Sequence, residues 1–113
     1  MNRVDLSIII LNYNTKTITI EAIKSIEKNY PSEVASGNFE VIVTDNASPD
    51  NSLAAFREFG KRTKIKSFHV VDNGGNIGFA AGNNKGLPYA HGRYVLFLNP
   101  DTVVYPKTLR RCK

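Results

Sequence analysis

Short apolar runs alternate with longer amphipathic segments along the chain. Each run holds five or six residues, mostly branched or aromatic. Such runs are typical of strands in a parallel sheet, because helices cover both faces of that sheet. We predict strands over Leu6–Leu11, Phe39–Thr44, Ser67–Val71 and Tyr94–Leu98. The uninterrupted run Tyr94–Leu98 is the most typical of a strand buried on both faces.

The segment after the first strand carries a helical period. Its apolar and aromatic side chains recur at spacings close to 3.6 residues, which predicts an amphipathic helix with one buried face. These side chains belong to Ile18, Ala22, Ile23, Ile26 and Tyr30. Pro31 would close this helix, and Ser32 to Asn38 would form a loop.

Two further helices are predicted after the second and third strands. Ser48, Pro49 and Asp50 fit the N-cap, the first helical position and the first-turn acid of a helix that stops at Gly60. Leu53, Phe56 and Phe59 would be its inward side chains. Phe79 to Ala90 also predict a helix, in which Gly82 and Gly86 would permit close approach to a sheet or a ligand. Gly92 fits the C-cap of that helix.

The alternation of strands and helices predicts an α/β fold with a doubly wound, Rossmann-like sheet. The sheet should be parallel, because every connection contains a helix. A chain of 113 residues is expected to form a single domain, residues 1–113. With the common strand order 3-2-1-4, ligands bind at the carboxyl ends of the first and fourth strands and their neighbours. The polar residues at those ends are Asn12, Tyr13, Asn14, Asp45, Asn46, Asn99 and Asp101.

The net charge of +5 raises the question of a nucleic-acid or membrane partner. Lys61–Lys66 form one basic cluster and Lys107–Lys113 another, and neither is interleaved with base-stacking aromatic residues. We therefore expect no nucleic-acid partner, although a basic nucleic-acid-binding domain is kept as a third hypothesis. Weak peripheral contact with anionic membrane lipid is also left open.

The apolar runs also bear on location. None approaches the roughly 20 residues of a membrane helix, and the first residues lack the features of a secretory signal. These features predict a cytoplasmic protein. The one cysteine, Cys112, excludes an internal disulfide and is expected to be an exposed bystander.

Two common nucleotide-binding motifs are missing. Asn12 to Lys16 contain no glycine, so the Gly-x-Gly-x-x-Gly turn of dinucleotide enzymes does not follow the first strand, and no Gly-x-x-x-x-Gly-Lys-Ser/Thr loop occurs. His69, inside a strand, and His91, in a turn, are expected to be structural, because neither follows a predicted strand end.

The remaining hypothesis is a nucleotide site that holds the base with side chains and the diphosphate with a metal. Asp45 can accept a hydrogen bond from the imide N–H of uracil or thymine. Asp101 can share a divalent cation with phosphate oxygens. An alternative stays open for Asn99-Pro100-Asp101-Thr102, since all four residue types favour turns.

Four blocks of sequence add a family resemblance. They are Leu6–Asn14, Val43–Asp50, Asn76–Gly86 and Leu98–Thr102. In this order they resemble the amino-terminal half of a family 2 glycosyltransferase of the GT-A fold, and most closely its rhamnosyltransferase-like branch.

The resemblance implies roles for particular residues. Asn12 to Asn14 would hold the nucleoside, Asp45 would bind its base, and the block with Asn76, Gly78 and Asn83 would flank the nucleotide. Asn99-Pro100-Asp101 stands at the family's Asp-x-Asp position, where Asp101 would bind Mg²⁺ or Mn²⁺ on the diphosphate of a UDP- or dTDP-sugar.

The sequence departs from the family pattern in two ways. The neutral Asn99 replaces the first acid of Asp-x-Asp. Of the two positions, only Asp101 would therefore supply negative charge to the metal. Family members also continue into an acceptor-binding half that holds the general base. We therefore expect a GT-A domain truncated at its carboxyl side, inactive alone and with its catalytic residues unknown.

The whole enzyme would transfer a hexosyl group from a nucleotide-diphosphate sugar to an acceptor in cell-surface polysaccharide synthesis. The alternative from another class is a non-catalytic nucleotide-binding or assembly module. In the order 3-2-1-4 the apolar fourth strand also lies at an open edge, which predicts a homo-oligomer through that edge.

Overall fold

The computed structural model describes residues 4–101. Within this range the strands are β1 (Leu6–Asn12), β2 (Phe39–Asp45), β3 (Phe68–Asp72) and β4 (Tyr94–Leu98). The α helices are α1 (Lys16–Asn29), α2 (Pro31–Ser36), α3 (Ser52–Arg62) and α4 (Phe79–Asn84), and a short 3-10 helix spans Leu87–Tyr89. None of these helices is long and apolar enough to cross a lipid bilayer.

The strands form one parallel sheet in the order β3-β2-β1-β4, which confirms the predicted doubly wound fold. The register aligns Asn12 with Asp45 and Ile10 with Leu98. The carboxyl ends of β1, β2 and β4 therefore lie side by side, as a switch point between β1 and β4 requires.

The core lies on both faces of the two central strands, and every residue of β1 and β2 is buried. On one face Ile8, Val41 and Val43 pack in a large cluster with Ile23 of α1 and Phe56 of α3. The opposite face carries a smaller cluster of Ile9, Ile42 and Val71. Because β1 and β2 are completely buried, their sequences are mostly apolar, which is why these runs predicted the two strands.

The glycines of α4 and the turn after it allow close approach to the sheet, as predicted. A Cβ atom on Gly82 would lie 2.8 Å from Leu11 Cδ1, and one on Gly86 would lie 3.0 Å from Ile9 Cγ2. At both positions a side chain would fit only if the neighbouring side chains moved.

The helix boundaries around Pro31 and Pro49 differ from the prediction. Pro31 does not lead into a loop but occupies the first turn of α2, because its fixed φ suits a helix start. The helix after β2 begins at Ser52 rather than Pro49 and continues past Gly60 to Arg62. Ser48 is not its cap, because the Ser48 hydroxyl donates to the Asp45 carboxylate instead.

The helix predicted over Phe79–Ala90 is shorter than expected, and its predicted C-cap is wrong. α4 ends at Asn84, and a 3-10 helix containing Pro88 follows. Gly92 lies in the turn before β4, where a Cβ atom would be 2.6 Å from the Ser7 backbone nitrogen. This position requires glycine because no space remains against β1, not because its φ is left-handed.

Two burial predictions were also wrong. Ile18 is 47% exposed, and the neighbouring Thr19 is buried in its place because its hydroxyl donates to Asn12 Oδ1. β4 is not buried on both faces, since Tyr94, Val95 and Phe97 are all exposed. β4 is an edge strand among the described residues, so only β1 pairs with it there.

Candidate functional site

Asn12 and Asp45 form the centre of the polar group at the carboxyl ends of β1 and β2. The Asn12 amide donates to Asp45 Oδ1 at 2.8 Å, and the hydroxyls of Thr15 and Thr19 donate to Asn12 Oδ1 at 2.9 and 2.8 Å. Asn12 is thus held from both ends of its amide. Its orientation directs Nδ2 toward the aspartate and fixes the position of that carboxylate.

Ser48 holds the same carboxylate from the loop after β2. Its hydroxyl donates to Asp45 Oδ1 at 2.6 Å, and its backbone N–H donates to Asp45 Oδ2 at 3.1 Å. Ala47 adopts a left-handed φ of 59° in this tight turn. Within residues 4–101, Oδ2 has that single donor, while a carboxylate oxygen can accept two hydrogen bonds. Asp45 therefore keeps capacity for a ligand N–H.

The end of β1 reaches this cluster through Asn14. Asn14 has a left-handed φ of 54°, and its backbone N–H donates to Ser48 Oγ at 2.8 Å. The turn leaves the Tyr13 ring largely exposed beside buried Asn12. An exposed aromatic ring next to a buried acceptor is a suitable surface for a nucleobase.

The structure gives Asn46 a structural role that the sequence did not reveal. It is buried, and its Nδ2 donates to Asn76 Oδ1 and to the Gly78 carbonyl at 3.3 and 3.2 Å. Its Oδ1 accepts from Asn73 Nδ2 at 2.7 Å. Asn46 thus ties the glycine-rich loop to the end of β2 and brings Asn76 and Gly78 toward the strand end that carries Asp45.

Asn83 faces inward as well. It is buried, and its amide donates to the Phe79 carbonyl one turn earlier in α4 at 3.2 Å. The structure does not bring Asn83 together with Asn12 and Asp45, because this bond holds its side chain against its own helix.

Asn99 and Asp101 follow β4 next to the end of β1. The Asp101 backbone N–H approaches Asn99 Oδ1 at 3.4 Å, and both residues are exposed. The Asp101 carboxylate offers one hard, accessible oxygen group. That suits a small divalent cation such as Mg²⁺, which keeps most of its ligands as water and phosphate oxygens.

A cavity of about 320 Å³ adjoins the end of β1. It is lined by Asn14, Thr15, Lys16, Thr17, Ile18 and Asp50. Burial alone would raise the pKa of Asp50, but hydrogen bonds from Ser52 and the Lys16 backbone N–H outweigh it and lower that pKa. A larger groove of about 430 Å³ lies between α1 and α3, away from the strand ends. We assign the smaller cavity to the candidate site because Asn14 and Thr15, which bond to Ser48 and Asn12, line it.

Sequence reasoning missed the roles of Ser48, Thr15 and Thr19. Each has a hydroxyl that a helix cap would also use, so residue type alone cannot separate the two roles. A serine three residues after a strand-ending aspartate was the available signal, since Asp side chains accept hydrogen bonds from backbone groups a few residues away.

Comparison with known proteins gives a consistent result. The model of "Glycosyl transferase family 2" matches residues 7–112. The Bacillus subtilis minor teichoic acid biosynthesis protein GgaB is 32% identical over 100 residues, 88% of this chain and 11% of that protein. The Haloferax volcanii low-salt glycan biosynthesis hexosyltransferase Agl10 is 34% identical over 110 residues, 94% of this chain and 31% of that protein.

Solved structures agree on the fold. The Staphylococcus aureus TarS 1–349 complex with UDP-GlcNAc aligns with a TM-score of 0.78 at 28% identity, over 96% of this chain and 30% of that one. A Pyrobaculum calidifontis mannosyltransferase, solved with GDP-Man and Mn²⁺, aligns with a TM-score of 0.83 at 24% identity, over 96% of this chain and 31% of that one. It shows the fold alone.

The chain spans between about a tenth and a third of the length of the two curated relatives described above. The family model, in contrast, covers nearly all of the chain, from the start of β1 to beyond β4. The chain belongs to glycosyl transferase family 2.

Proposed function

We propose that this chain binds the donor of a glycosyltransferase that moves a hexosyl group from a nucleotide-diphosphate sugar to an acceptor. One observation carries the proposal: the buried Asp45 carboxylate is held by Asn12 and Ser48 at the carboxyl ends of the central strands. In a doubly wound sheet these ends form the ligand crevice. Relatives in teichoic acid and glycan synthesis support a role in making a surface polysaccharide.

Asp45 would select the base. Its Oδ2 can accept the imide N–H of uracil or thymine, whereas adenine has no ring N–H on its Watson–Crick edge at neutral pH. TarS, a relative at 28% identity, was solved with UDP-GlcNAc, which supports a uridine or thymidine diphosphate donor here. Guanine also carries a ring N–H, so GDP belongs in any test of this assignment.

Asp101 would hold a divalent cation, Mg²⁺ or Mn²⁺, against the diphosphate. When bound, the cation stabilises the negative charge that builds on the leaving diphosphate. The residues of this chain position the donor: Asn12 and Ser48 orient Asp45, and Asp45 fixes the base. Asn99, which is neutral, would contact water, ribose or phosphate.

The general base is expected outside the described residues, and we propose that the 113-residue chain does not transfer sugar alone. The competing proposal, a non-catalytic nucleotide-binding module, shares the same binding site. Sugar transfer after this domain is joined to the acceptor-binding half of a family member would favour the enzyme over the module. The rhamnosyltransferase-like branch remains a prediction, as does the cytoplasmic location; a panel of donor sugars tests the former.

Calorimetry with UDP, dTDP, GDP and ADP, each with Mg²⁺ or Mn²⁺, tests base recognition. We expect UDP or dTDP to bind more tightly than ADP, and Asp45→Asn to cost about 1 to 3 kcal/mol of binding free energy. Asp72→Asn is the matched control, because Asp72 pairs with Asp45 across the β2–β3 register but is exposed. Equal affinities for UDP, dTDP and ADP, or equal effects of the two substitutions, would refute the role of Asp45.

A further inference from the structure

Glu40, His69 and His91 meet at the opposite end of the sheet from Asp45. Glu40 lies near the start of β2, five positions before Asp45, which places the two carboxylates roughly 16 Å apart along the strand. His69 comes from β3, and His91 from the turn before β4. The nucleotide site uses none of these three side chains.

Their ligand atoms converge on one small volume. Glu40 Oε2 lies 3.0 Å from His91 Nδ1 and 3.3 Å from His69 Nε2, and all three atoms lie within 4.8 Å of one another. Ligand atoms around a tetrahedral zinc ion with bonds of about 2.1 Å are roughly 3.4 Å apart. The observed spacings therefore need only small side-chain adjustments to surround such an ion.

The charge on Glu40 calls for a cation. Its side chain is 1% exposed, and its oxygens accept hydrogen bonds from Ser7, Ser67 and the His91 backbone N–H. Among residues 4–101, both groups within ion-pair distance of Glu40 are imidazoles, with no lysine or arginine. A buried carboxylate without a compensating positive charge is costly.

The surroundings of Glu40 match those of a metal ligand. Ser7 Oγ and the His91 backbone N–H donate to its other oxygen, Oε1, at 2.8 and 2.9 Å. Hydrogen bonds of this kind orient a carboxylate ligand around a metal. The His91 side chain is 64% exposed and that of His69 34% exposed, so solvent can reach the cluster and supply a further ligand.

We propose that Glu40, His69 and His91 form a structural binding site for Zn²⁺ or a similar transition-metal ion, separate from the nucleotide site. Imidazole nitrogen and carboxylate oxygen are ligands that zinc takes, and three protein ligands leave one position for water. The ion would join β2, β3 and the turn before β4, and its main effect would be on the stability of the sheet. Any ion that binds the folded chain and not the unfolded chain raises the melting temperature.

The test uses the 113-residue chain without a histidine tag, stripped of metal, in a Cys112→Ser background that removes the only thiol. Zn²⁺ should raise the melting temperature, and Co²⁺ should give the visible absorption of a tetrahedral site. His69→Gln and His91→Gln retain hydrogen-bonding groups and should weaken Zn²⁺ binding at least tenfold. Glu58→Gln, which removes an exposed carboxylate on α3, is the control variant, and it should leave both signals unchanged.

A second measurement covers the case in which a histidine variant fails to fold. The chain contains only two histidines, so the imidazole nitrogen resonances of the parent protein report on this cluster alone. Both imidazoles should shift on titration with Zn²⁺, in proportion to the thermal stabilisation. Unshifted imidazole resonances, no change in melting temperature, or stabilisation that persists in the glutamine variants would overturn the proposal.

Discussion

Replacing Gly92 with alanine should destabilise the fold severely although the change adds a single methyl group. The new Cβ would lie 2.6 Å from the Ser7 backbone nitrogen, 2.8 Å from Ser7 Oγ and 2.9 Å from the Leu6 carbonyl carbon, all shorter than real Cβ contacts. Two of those atoms belong to the backbone of β1, which is buried between β2 and β4 and cannot move aside.

The structure also indicates how large the effect should be. Overpacking a closed site costs about 1 to 3 kcal/mol, and relief here would have to pull the turn away from β1. That movement would lengthen the 2.8 Å bond from the Gly92 N–H to Ser7 Oγ and the 3.0 Å bond from the Tyr94 N–H to the Asp5 carbonyl. Each hydrogen bond contributes about 1 kcal/mol. We expect a loss of at least about 3 kcal/mol in the free energy of unfolding.

Urea unfolding followed by far-UV circular dichroism measures this loss, with Gly75→Ala as the matched control. A Cβ on Gly75 would meet nothing within 4 Å, and Gly75 has no positive φ. Gly75→Ala should therefore change the free energy of unfolding little. If Gly92→Ala unfolded at the same urea concentration as Gly75→Ala, the close packing of this turn on β1 would be disproved.

Three further predictions concern the loops and the sheet edge. Ser48→Ala should lower the unfolding free energy by about 1 to 3 kcal/mol in urea titrations, because it leaves the Asn14 N–H and the buried Asp45 carboxylate short of partners. Since the pKa of Asp50 is lowered from 3.8, the stability that its carboxylate adds is present above pH 3.8 and lost on further acidification. Asp50→Asn should therefore reduce the acid sensitivity of the melting temperature below that pH, whereas an unchanged acid profile would contradict this role. Sedimentation at micromolar concentration should show a dimer joined through β4, whose Phe97 is 45% exposed; a monomer would refute this.

The sequence was sufficient for the sheet but not for the helix ends. β1 and β2 are buried along their whole length, so most of their residues are apolar, and the apolar run was visible without tertiary information. The start of α3 depends on a tertiary contact, since Ser48 donates to Asp45 rather than capping a helix. Local cap signals cannot report a competing partner that the fold brings close.

The site could be predicted only in part for the same reason. The position of Asp45 at a strand end followed from topology, and its contact with Asn12 followed from the parallel register. Asn46 and Asn83 have the residue type of a ligand-binding group, yet both side chains bond to the protein itself. An asparagine that binds a ligand and one that ties a loop look identical in sequence.

Glu40 carried a signal that the sequence reading passed over. It is the charged residue inside the apolar run Phe39–Thr44, and a charge within a buried strand needs partners. Those partners, Ser67, His69 and His91, lie 27 to 51 positions further along the chain, so only the assembled sheet identifies them. We expected both histidines to be structural, and the structure places both beside Glu40, where the proposed ion would give them a ligand role.

Strand geometry keeps the two polar clusters of β2 apart. Glu40 and Asp45 are separated by an odd number of positions, so their side chains leave the strand on opposite faces as well as at opposite ends. Glu40 shares its face with Ile42, beside the 3-10 helix and the turn before β4, whereas Asp45 shares the face of Val43 with α1 and α3.

No side chain can contact both carboxylates, because the buried sheet itself lies between them. An ion at Glu40 can therefore influence Asn12 and Asp45 through the backbones of β2 and, by way of Ser7, of β1, which are central strands paired on both sides and resistant to displacement. Stability measurements on one cluster and nucleotide affinities at the other consequently report on independent features of the chain.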